Sequence, residues 1–219
     1  MKEFYHSRIK QYQNELQKVK GRALLLSMLR LAVFLLVTLV IYLFLGMGAV
    51  MVPTLVVGTS LFLYLVRLSA ETSERKEYLK MIIQLNDLEI KFLDGDLDGL
   101  ETGDEFKDGE HHFAADIDLF GHGSLFQRMN RAPLLSARKK LAGLLTSNDI
   151  SNIEKKQELI KELSEIGDWR QQFETNSSLI KNNIESSVIS KWLEEYESFV
   201  PKAFRVLPTV FSILSIGVI

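Results

Sequence analysis

The longest apolar stretch of the chain runs from Leu31 to Val66 and contains no Asp, Glu, Lys, Arg or His. As a single helix it would be roughly 54 Å long, whereas the hydrocarbon core of a bilayer is about 30 Å thick. The stretch is interrupted near its middle by Gly46–Gly48, and Pro53 follows shortly after. We therefore predict a transmembrane helical hairpin over residues 23–66, in which two spans are joined by a tight turn.

Basic residues flank both ends of this hairpin, whereas its turn is uncharged. They are Lys18, Lys20, Arg22 and Arg30 before the first span, and Arg67, Arg75, Lys76 and Lys80 after the second. Because positively charged flanks remain in the cytoplasm, we expect a multi-pass protein of the cytoplasmic membrane with a cytosolic N-terminus. The competing interpretation is a hairpin buried in a soluble core. A cleaved signal peptide is disfavoured, because the polar lead-in is too long.

Amphipathic helices are predicted on both sides of the hairpin, over residues 1–22 and 67–93. Their apolar stripes consist of Tyr5, Ile9, Tyr12, Leu16 and Val19, and of Tyr78, Leu79, Ile82, Leu85, Leu88 and Phe92. Alternating steps of four and three residues are typical of a coiled-coil seam. Since both helices leave the same membrane face, we expect them to form an antiparallel pair in the cytosol. Alternatively, each stripe docks onto the rest of the protein.

Residues 94–122 are rich in carboxylates and glycine and are predicted to form an acidic loop. Four carboxylates match the ligand positions of an EF-hand calcium loop: Asp94, Asp96, Asp98 and Glu105. Ca²⁺ prefers clustered carboxylates, so the match suggests a calcium-responsive membrane protein. However, Glu101 stands where such loops usually carry an apolar residue, and no helix is predicted after Glu105. A solvated acidic linker is therefore favoured over a calcium site.

Residues 123–203 carry helix signals in close succession and no convincing period-two alternation, so the polar part is predicted to be all-α. Ser124 with Gln127, and Ser151 with Glu154, match the capping box that opens a helix. Residues 204–219 begin a further hydrophobic segment that is too short for an ordinary span. We expect the native polypeptide to continue beyond it. The alternative is a short interfacial helix.

Composition narrows the chemistry that the chain can perform. A net charge of −2 provides no overall basic character for binding nucleic acid. The absence of cysteine excludes disulfides, cysteine-ligated metals and thiol catalysis. The sequence also lacks the phosphate loop, the G-x-S-x-G elbow and the H-E-x-x-H zinc motif. We therefore predict that this chain by itself is not an enzyme and holds no cofactor.

A family resemblance is carried by residues 111–173. The chain has HHFAADIDLFG at 111–121, SLFQRMNR at 124–131, LAGLL at 141–145 and WRQQF at 169–173. In this order the segments resemble the patterns H-P-Y-x-x-D-L-D-L-F-G, S-L-F-Q-x-I-N-R-T, L-A-x-x-L and W-R-x-x-F. Those patterns are typical of membrane-anchored MutS-like proteins, bacterial relatives of the DNA mismatch-repair ATPase.

The resemblance implies that residues 123–203 form a helical core or lever domain. Motif residues with an implied packing or capping role are Asp116, Asp118, Phe120, Gly121, Leu125, Phe126, Asn130, Arg131, Trp169 and Arg170. It further implies that a C-terminal ATPase domain of the same polypeptide, binding ATP and Mg²⁺, follows residue 219. In this chain the membrane spans occupy the N-terminal end, where the repair enzyme carries its mismatch-reading domain. The resemblance therefore does not decide whether this chain binds DNA.

These observations lead to one principal hypothesis and one alternative. In the first, the chain is the non-catalytic anchor and lever region of a larger MutS-like ATPase. In the alternative, it is a membrane-anchored helical scaffold that oligomerises through its coiled coil, without nucleotide or DNA. In both cases the expected partners are the lipid bilayer and a second copy of the chain, as a dimer.

Overall fold

The computed structural model describes residues 1–147, 149–180 and 186–195, except for the side chains of residues 186–189. The chain divides into two units, residues 1–182 and 183–219. The described helices are α1 (Lys2–Leu43), α2 (Gly48–Leu93), α3 (Leu125–Met129), α4 (Leu135–Thr146), α5 (Ile153–Glu165), α6 (Gly167–Ser178) and α7 (Ser186–Glu194), with a 3-10 turn at Asp104–Phe106. Within these ranges the chain has no strand, so the described part is all-α as predicted.

Two long antiparallel helices, α1 and α2, form nearly half of the first unit. Each continues without a break from its apolar half into its polar half, so the predicted spans and flanking helices are parts of the same helices. The connection between them is short, and Gly46 adopts a φ of 98° there, which glycine tolerates without strain. The absence of a helix-ending signal near residues 22 and 67 explains this continuity.

The apolar halves of α1 and α2 are long and apolar enough to cross a membrane. In the most apolar 18-residue window of each helix, only 6% and 11% of the residues are buried. Large side chains on these halves, such as Leu36 and Val57, are more than 60% exposed. A core helix of a soluble protein would instead be mostly covered, because exposed apolar area is unfavourable in water.

The two apolar halves approach closely at Gly58, which is buried against Val37. We expect Gly58→Ala to destabilise the hairpin by about 1–3 kcal/mol. A Cβ atom there would lie 2.4 Å from Val37 Cγ2, and a β-branched side chain in a helix has one strongly preferred rotamer. Thermal unfolding in detergent micelles, followed by circular dichroism, measures the effect.

Gly21→Ala is the matched control for this substitution. Nothing lies within 4 Å of a Cβ atom at Gly21, and alanine is the better helix former. The control should therefore leave stability unchanged or raise it, while Gly58→Ala lowers it. Equal shifts for both variants would show that the close contact at Gly58 does not matter for stability.

Polar contacts connect the polar halves of α1 and α2. Arg75 Nη2 lies 2.6 Å from Glu15 Oε1, and Lys2 pairs with Asp94 at the far end of the hairpin. Leu79 and Ile82, from the predicted stripe of α2, are fully buried. The polar halves thus lie side by side and form a stalk, a name that we use below for residues 2–22 and 67–93.

The segment after the stalk folds onto α3 and α4 and forms what we call the loop module, residues 94–147. Leu97, Ala114, Leu119 and Phe120 are buried, although they lie in the predicted acidic loop. The segment therefore differs from the solvated linker that was favoured. The prediction failed because the many carboxylates dominate the composition of this segment. Its few apolar residues nevertheless form a core.

The start of α5, after the loop module, differs from its sequence signal. α5 begins at Ile153 after Asn152, whose side chain makes no cap and whose φ is 57°. The predicted Ser151 cap is not formed, because Ser151 N donates instead to Asp149 Oδ1 at 2.8 Å. The hydrophobic segment predicted over residues 204–219 lies outside the described residues.

Candidate functional site

The motif phenylalanines form the aromatic core of the loop module. Phe126 is fully buried and Phe120 is 9% exposed. The Phe126 ring centroid lies 5.5 Å from those of both Phe106 and Phe120, in tilted arrangements. Leu119 and Ala142 belong to the same buried cluster. This part of the family motif therefore contributes apolar packing rather than a reactive group.

Gln127 is buried and connects α3 to the turn that follows α2. Its backbone N–H donates to Ser124 Oγ at 3.1 Å, which is the first half of the predicted capping box. The side-chain Oε1 accepts from Gly123 N at 2.7 Å. Its Nε2 donates to the carbonyls of Leu97 and Leu100 at 3.2 and 3.0 Å. One side chain thereby satisfies three backbone groups of two different loops.

The remaining residues of the first motif act mainly through the backbone. Asp116 and Asp118 are exposed and, among the described residues, their carboxylates make no hydrogen bond or ion pair. They therefore differ from the packing role expected of them, because the turn directs both towards solvent. Asp118 has a φ of 48°, and its carbonyl accepts from the N–H of the half-exposed Leu125 at 3.2 Å. Gly121, buried with a φ of 113°, donates to Thr102 O at 2.9 Å.

Arg131 joins the loop module to the stalk, and the buried Asn130 before it caps the turn through its side-chain oxygen, which accepts from Ala132 N at 2.9 Å. Arg131 forms an ion pair with Glu89 of α2, and its guanidinium carbon lies 4.6 Å from the centroid of the Phe92 ring. Its Nη1 also donates to two backbone carbonyls, one of them that of Asn130 at 2.8 Å. The guanidinium is therefore held by a carboxylate, an aromatic face and backbone oxygens together.

Trp169 lies on the surface of α6, not in the core. Its ring is stacked on that of Phe173, with 5.2 Å between the centroids and 18° between the planes. The two side chains are 51% and 59% exposed. Arg170 is exposed as well, whereas the neighbouring Asp168 pairs with Arg8 of α1. The second motif thus presents an aromatic surface at the end of α6 that adjoins the stalk.

A groove of about 350 Å³ lies between α6, the stalk and the connection of residues 131–137. We call it the α6 groove. Its walls include the apolar side chains Phe4, Leu85, Pro133, Leu134, Trp169 and Phe173. Eight polar side chains also line it: Tyr5, Asn86, Glu89, Arg131, Arg170, Gln171, Glu174 and Ser177. Apolar walls with a few polar groups are typical of binding sites in proteins.

Glu174 and Gln171 of the α6 groove have side-chain oxygens that accept no hydrogen bond within the described residues. Burial raises the pKa of Glu174 to about 7, and the Glu89 carboxylate contributes in the same direction, against Arg131 and Arg170. Within the described part of the chain, the Glu174 carboxylate has no hydrogen bond or ion pair. Gln171 Nε2 donates to Asn86 Oδ1 at 3.0 Å, but Gln171 Oε1 is buried without a partner.

The four carboxylates of the calcium-loop pattern do not converge. Asp94 ends α2 and pairs with Lys2 of α1. Asp96 Oδ1 accepts from Asp98 N at 2.9 Å, and Glu105 lies in the 3-10 turn. Among the residues that the structure describes, no three His, Asp or Glu side chains are grouped to hold a metal ion. The hypothesis of a calcium site gains no support from this geometry.

Sequence reasoning missed the polar residues of the α6 groove. Asn86 and Glu89 interrupt the apolar stripe of α2, which was a signal that this face meets polar partners. Asn86 is fully buried and donates to Ile82 O at 2.6 Å. Gln171 and Glu174 had no comparable signal, because their burial depends on α2, more than 80 residues away in the chain.

Comparisons with protein-family models, curated proteins and solved structures identify nothing that matches this chain. No family is shown. The MutS-like resemblance therefore rests on the motif residues quoted above, and the function has to be argued from the helices and the α6 groove.

Proposed function

We propose that this chain is the membrane anchor and lever region of a larger MutS-like ATPase. The supporting observation is that α1 and α2 run uninterrupted from membrane-compatible apolar halves into the polar stalk. A continuous helix transmits displacement along its axis, because bending it requires breaking or lengthening backbone hydrogen bonds. A movement of the stalk would therefore be coupled directly to the hairpin in the bilayer.

The contacts between the stalk and α6 suit a lever. Asp168 pairs with Arg8 of α1, and Gln171 donates to Asn86 of α2. These are polar contacts with a largely open groove beside them, so α6 is connected to the stalk through few groups. Remaking this interface requires breaking one ion pair, in which Asp168 is exposed and Arg8 is largely buried, and one hydrogen bond of about 1 kcal/mol.

The nucleotide-dependent part of the proposal rests on the family resemblance. ATP and Mg²⁺ would be bound by a domain of the same polypeptide outside these residues, and the lever would convey its motion to the membrane. The coding sequence downstream of residue 219 tests this. A G-x-x-x-x-G-K-[ST] sequence within the next few hundred codons would support the ATPase, whereas an immediate stop codon would contradict it.

Cysteine labelling in intact bacterial cells tests the anchor and its orientation. The chain contains no cysteine, so single-cysteine variants have no background. Met47→Cys, in the turn, should react with a membrane-impermeant maleimide added outside intact cells. Lys10→Cys, on the stalk, should react only after permeabilisation. The unsubstituted protein is the control. The reverse pattern would overturn the orientation, and recovery of the protein in the soluble fraction would overturn the anchor.

The alternative scaffold would oligomerise through the coiled coil that we predict in the stalk. Leu79 and Ile82 of that stripe are already fully buried within a single chain. Pairing between copies would therefore have to use the remaining exposed faces of α1 and α2, or separate these two helices first. This consideration favours the lever over the scaffold.

A further inference from the structure

The α6 groove has acceptors that no donor satisfies within the described part of the chain. Gln171 Oε1 is buried without a donor, and the Glu174 carboxylate has no hydrogen bond or ion pair within the described residues. A buried acceptor without a donor is unfavourable by about 1–3 kcal/mol. Both residues line the same groove. Gln171 Oε1 has almost no accessible surface, so a donor-bearing group that enters the groove would pair with the Glu174 carboxylate.

The arginines near the groove do not supply that donor. Arg131 is held by Glu89, the Phe92 ring and two carbonyls. Arg170 is exposed, and its Nη2 is 3.4 Å from Ser164 O on the other side of the α5–α6 connection. Arg170 and Glu174 thus both lack an ion pair within the described residues, but Arg170 is exposed to water whereas Glu174 is partly buried. The charge that gains most from a partner is therefore the Glu174 carboxylate, which calls for a cation.

The rim of the groove is aromatic and offers a packing surface for the apolar part of such a partner. Trp169 and Phe173 form a stacked aromatic platform, and the half-exposed Phe4 lies opposite on α1. Aromatic faces attract cations, and they also cover the methylene stem of a lysine or arginine. Exposed tryptophan at the edge of a pocket is characteristic of protein interfaces.

We propose that the α6 groove binds a segment of a partner protein in which an arginine or lysine stands beside an apolar side chain. The cation pairs with the Glu174 carboxylate, and the apolar neighbour packs on the Trp169–Phe173 platform. This site requires neither the bilayer nor the ATPase proposed above, because it is lined only by the stalk, α6 and residues 131–137. It shares the Gln171–Asn86 contact with the proposed lever.

Binding of a cation should depend on pH through Glu174. The groups that face it are Tyr5 from α1, Glu89 from α2, Arg131 from the connection and Arg170 from α6. With a pKa of about 7, Glu174 is largely protonated at pH 6 and largely ionised at pH 8. A cation favours the ionised form, so affinity should rise as the pH increases across this interval.

Fluorescence titration of the full chain in zwitterionic nanodiscs tests the proposal. A Trp192→Phe background leaves Trp169 as the reporter. The probes are the blocked peptide Ala-Leu-Arg-Leu-Ala and its neutral counterpart Ala-Leu-Gln-Leu-Ala, each titrated to 5 mM (an order-of-magnitude limit for weak peptide binding, roughly 3 kcal/mol). We expect the arginine peptide to bind at least tenfold more tightly at pH 8, and several-fold more tightly at pH 8 than at pH 6.

Two variants separate the proposed site from adventitious binding. Glu174→Gln should weaken the arginine peptide about tenfold, remove its pH dependence and leave the neutral peptide unaffected. Glu162→Gln, on the exposed face of α5, is the matched control and should change nothing. Circular dichroism verifies that both variants are folded. Equal affinity for the two peptides, no saturation at 5 mM (the same rough limit), or an unaffected Glu174→Gln would each overturn the proposal.

Discussion

Replacing Phe126 by alanine is expected to lower the free energy of unfolding of the first unit by about 3–5 kcal/mol. The ring is fully buried and lies against Phe106 and Phe120, with 5.5 Å between centroids in each case. Alanine would leave a cavity at a fully buried position of this core. Denaturant unfolding in detergent micelles, followed by near-ultraviolet circular dichroism, measures the loss.

Phe173→Ala is the matched control, since it removes the same ring from a position that is 59% exposed. It should change stability by less than about 1 kcal/mol, because most of its apolar area is in water already. Comparable losses for the two variants would show that the aromatic cluster is not the core of the loop module. A melt of Phe126→Ala that coincides with that of the parent would show the same.

Gln127→Met should destabilise the first unit by about 3 kcal/mol, with roughly 1 kcal/mol for each lost hydrogen bond. The substitution keeps the volume of the side chain but leaves Gly123 N and the carbonyls of Leu97 and Leu100 without this partner. These groups lie on two loops, so hydrogen exchange should increase for the amide of Gly123. The same denaturant titration gives the magnitude.

Gln172→Met provides the control for this second experiment. Gln172 is exposed on α6, and glutamine and methionine have nearly equal helix propensities. The control should therefore unfold like the parent. If Gln127→Met also unfolded like the parent, its three side-chain hydrogen bonds would contribute nothing net, and the loop module would be held by its aromatic core alone.

The helices were predictable to different degrees. The apolar halves of α1 and α2 follow from an uncharged run, which requires no tertiary information. The cap at Ser124 was predictable too, because it is a contact between residues three positions apart. The start of α5 was not, because Asp149 competes for the amide of Ser151. Local signals of equal quality thus gave one correct boundary and one incorrect boundary.

The residues of the candidate site, like the helix boundaries, were predictable from the sequence only in part. The family motif pointed to Phe126 and to Trp169, but not to their opposite environments, one fully buried and the other half exposed. Both are aromatic residues in helical segments, and the pattern around each is similar. The difference arises because α3 is covered by the acidic segment, whereas the outer face of α6 has no covering element among the described residues.

The sequence by itself determined that this protein has a helical hairpin with membrane-compatible length, flanked by amphipathic helices and lacking catalytic motifs. Hydrophobic period and the absence of charge decide these features, and both are local properties of the chain. Only the tertiary structure decided that the acidic segment has a core and that Glu174 and Gln171 meet Asn86 and Glu89 in one groove. Burial of a polar group depends on residues far away in sequence, 85 positions in the case of Gln171 and Asn86.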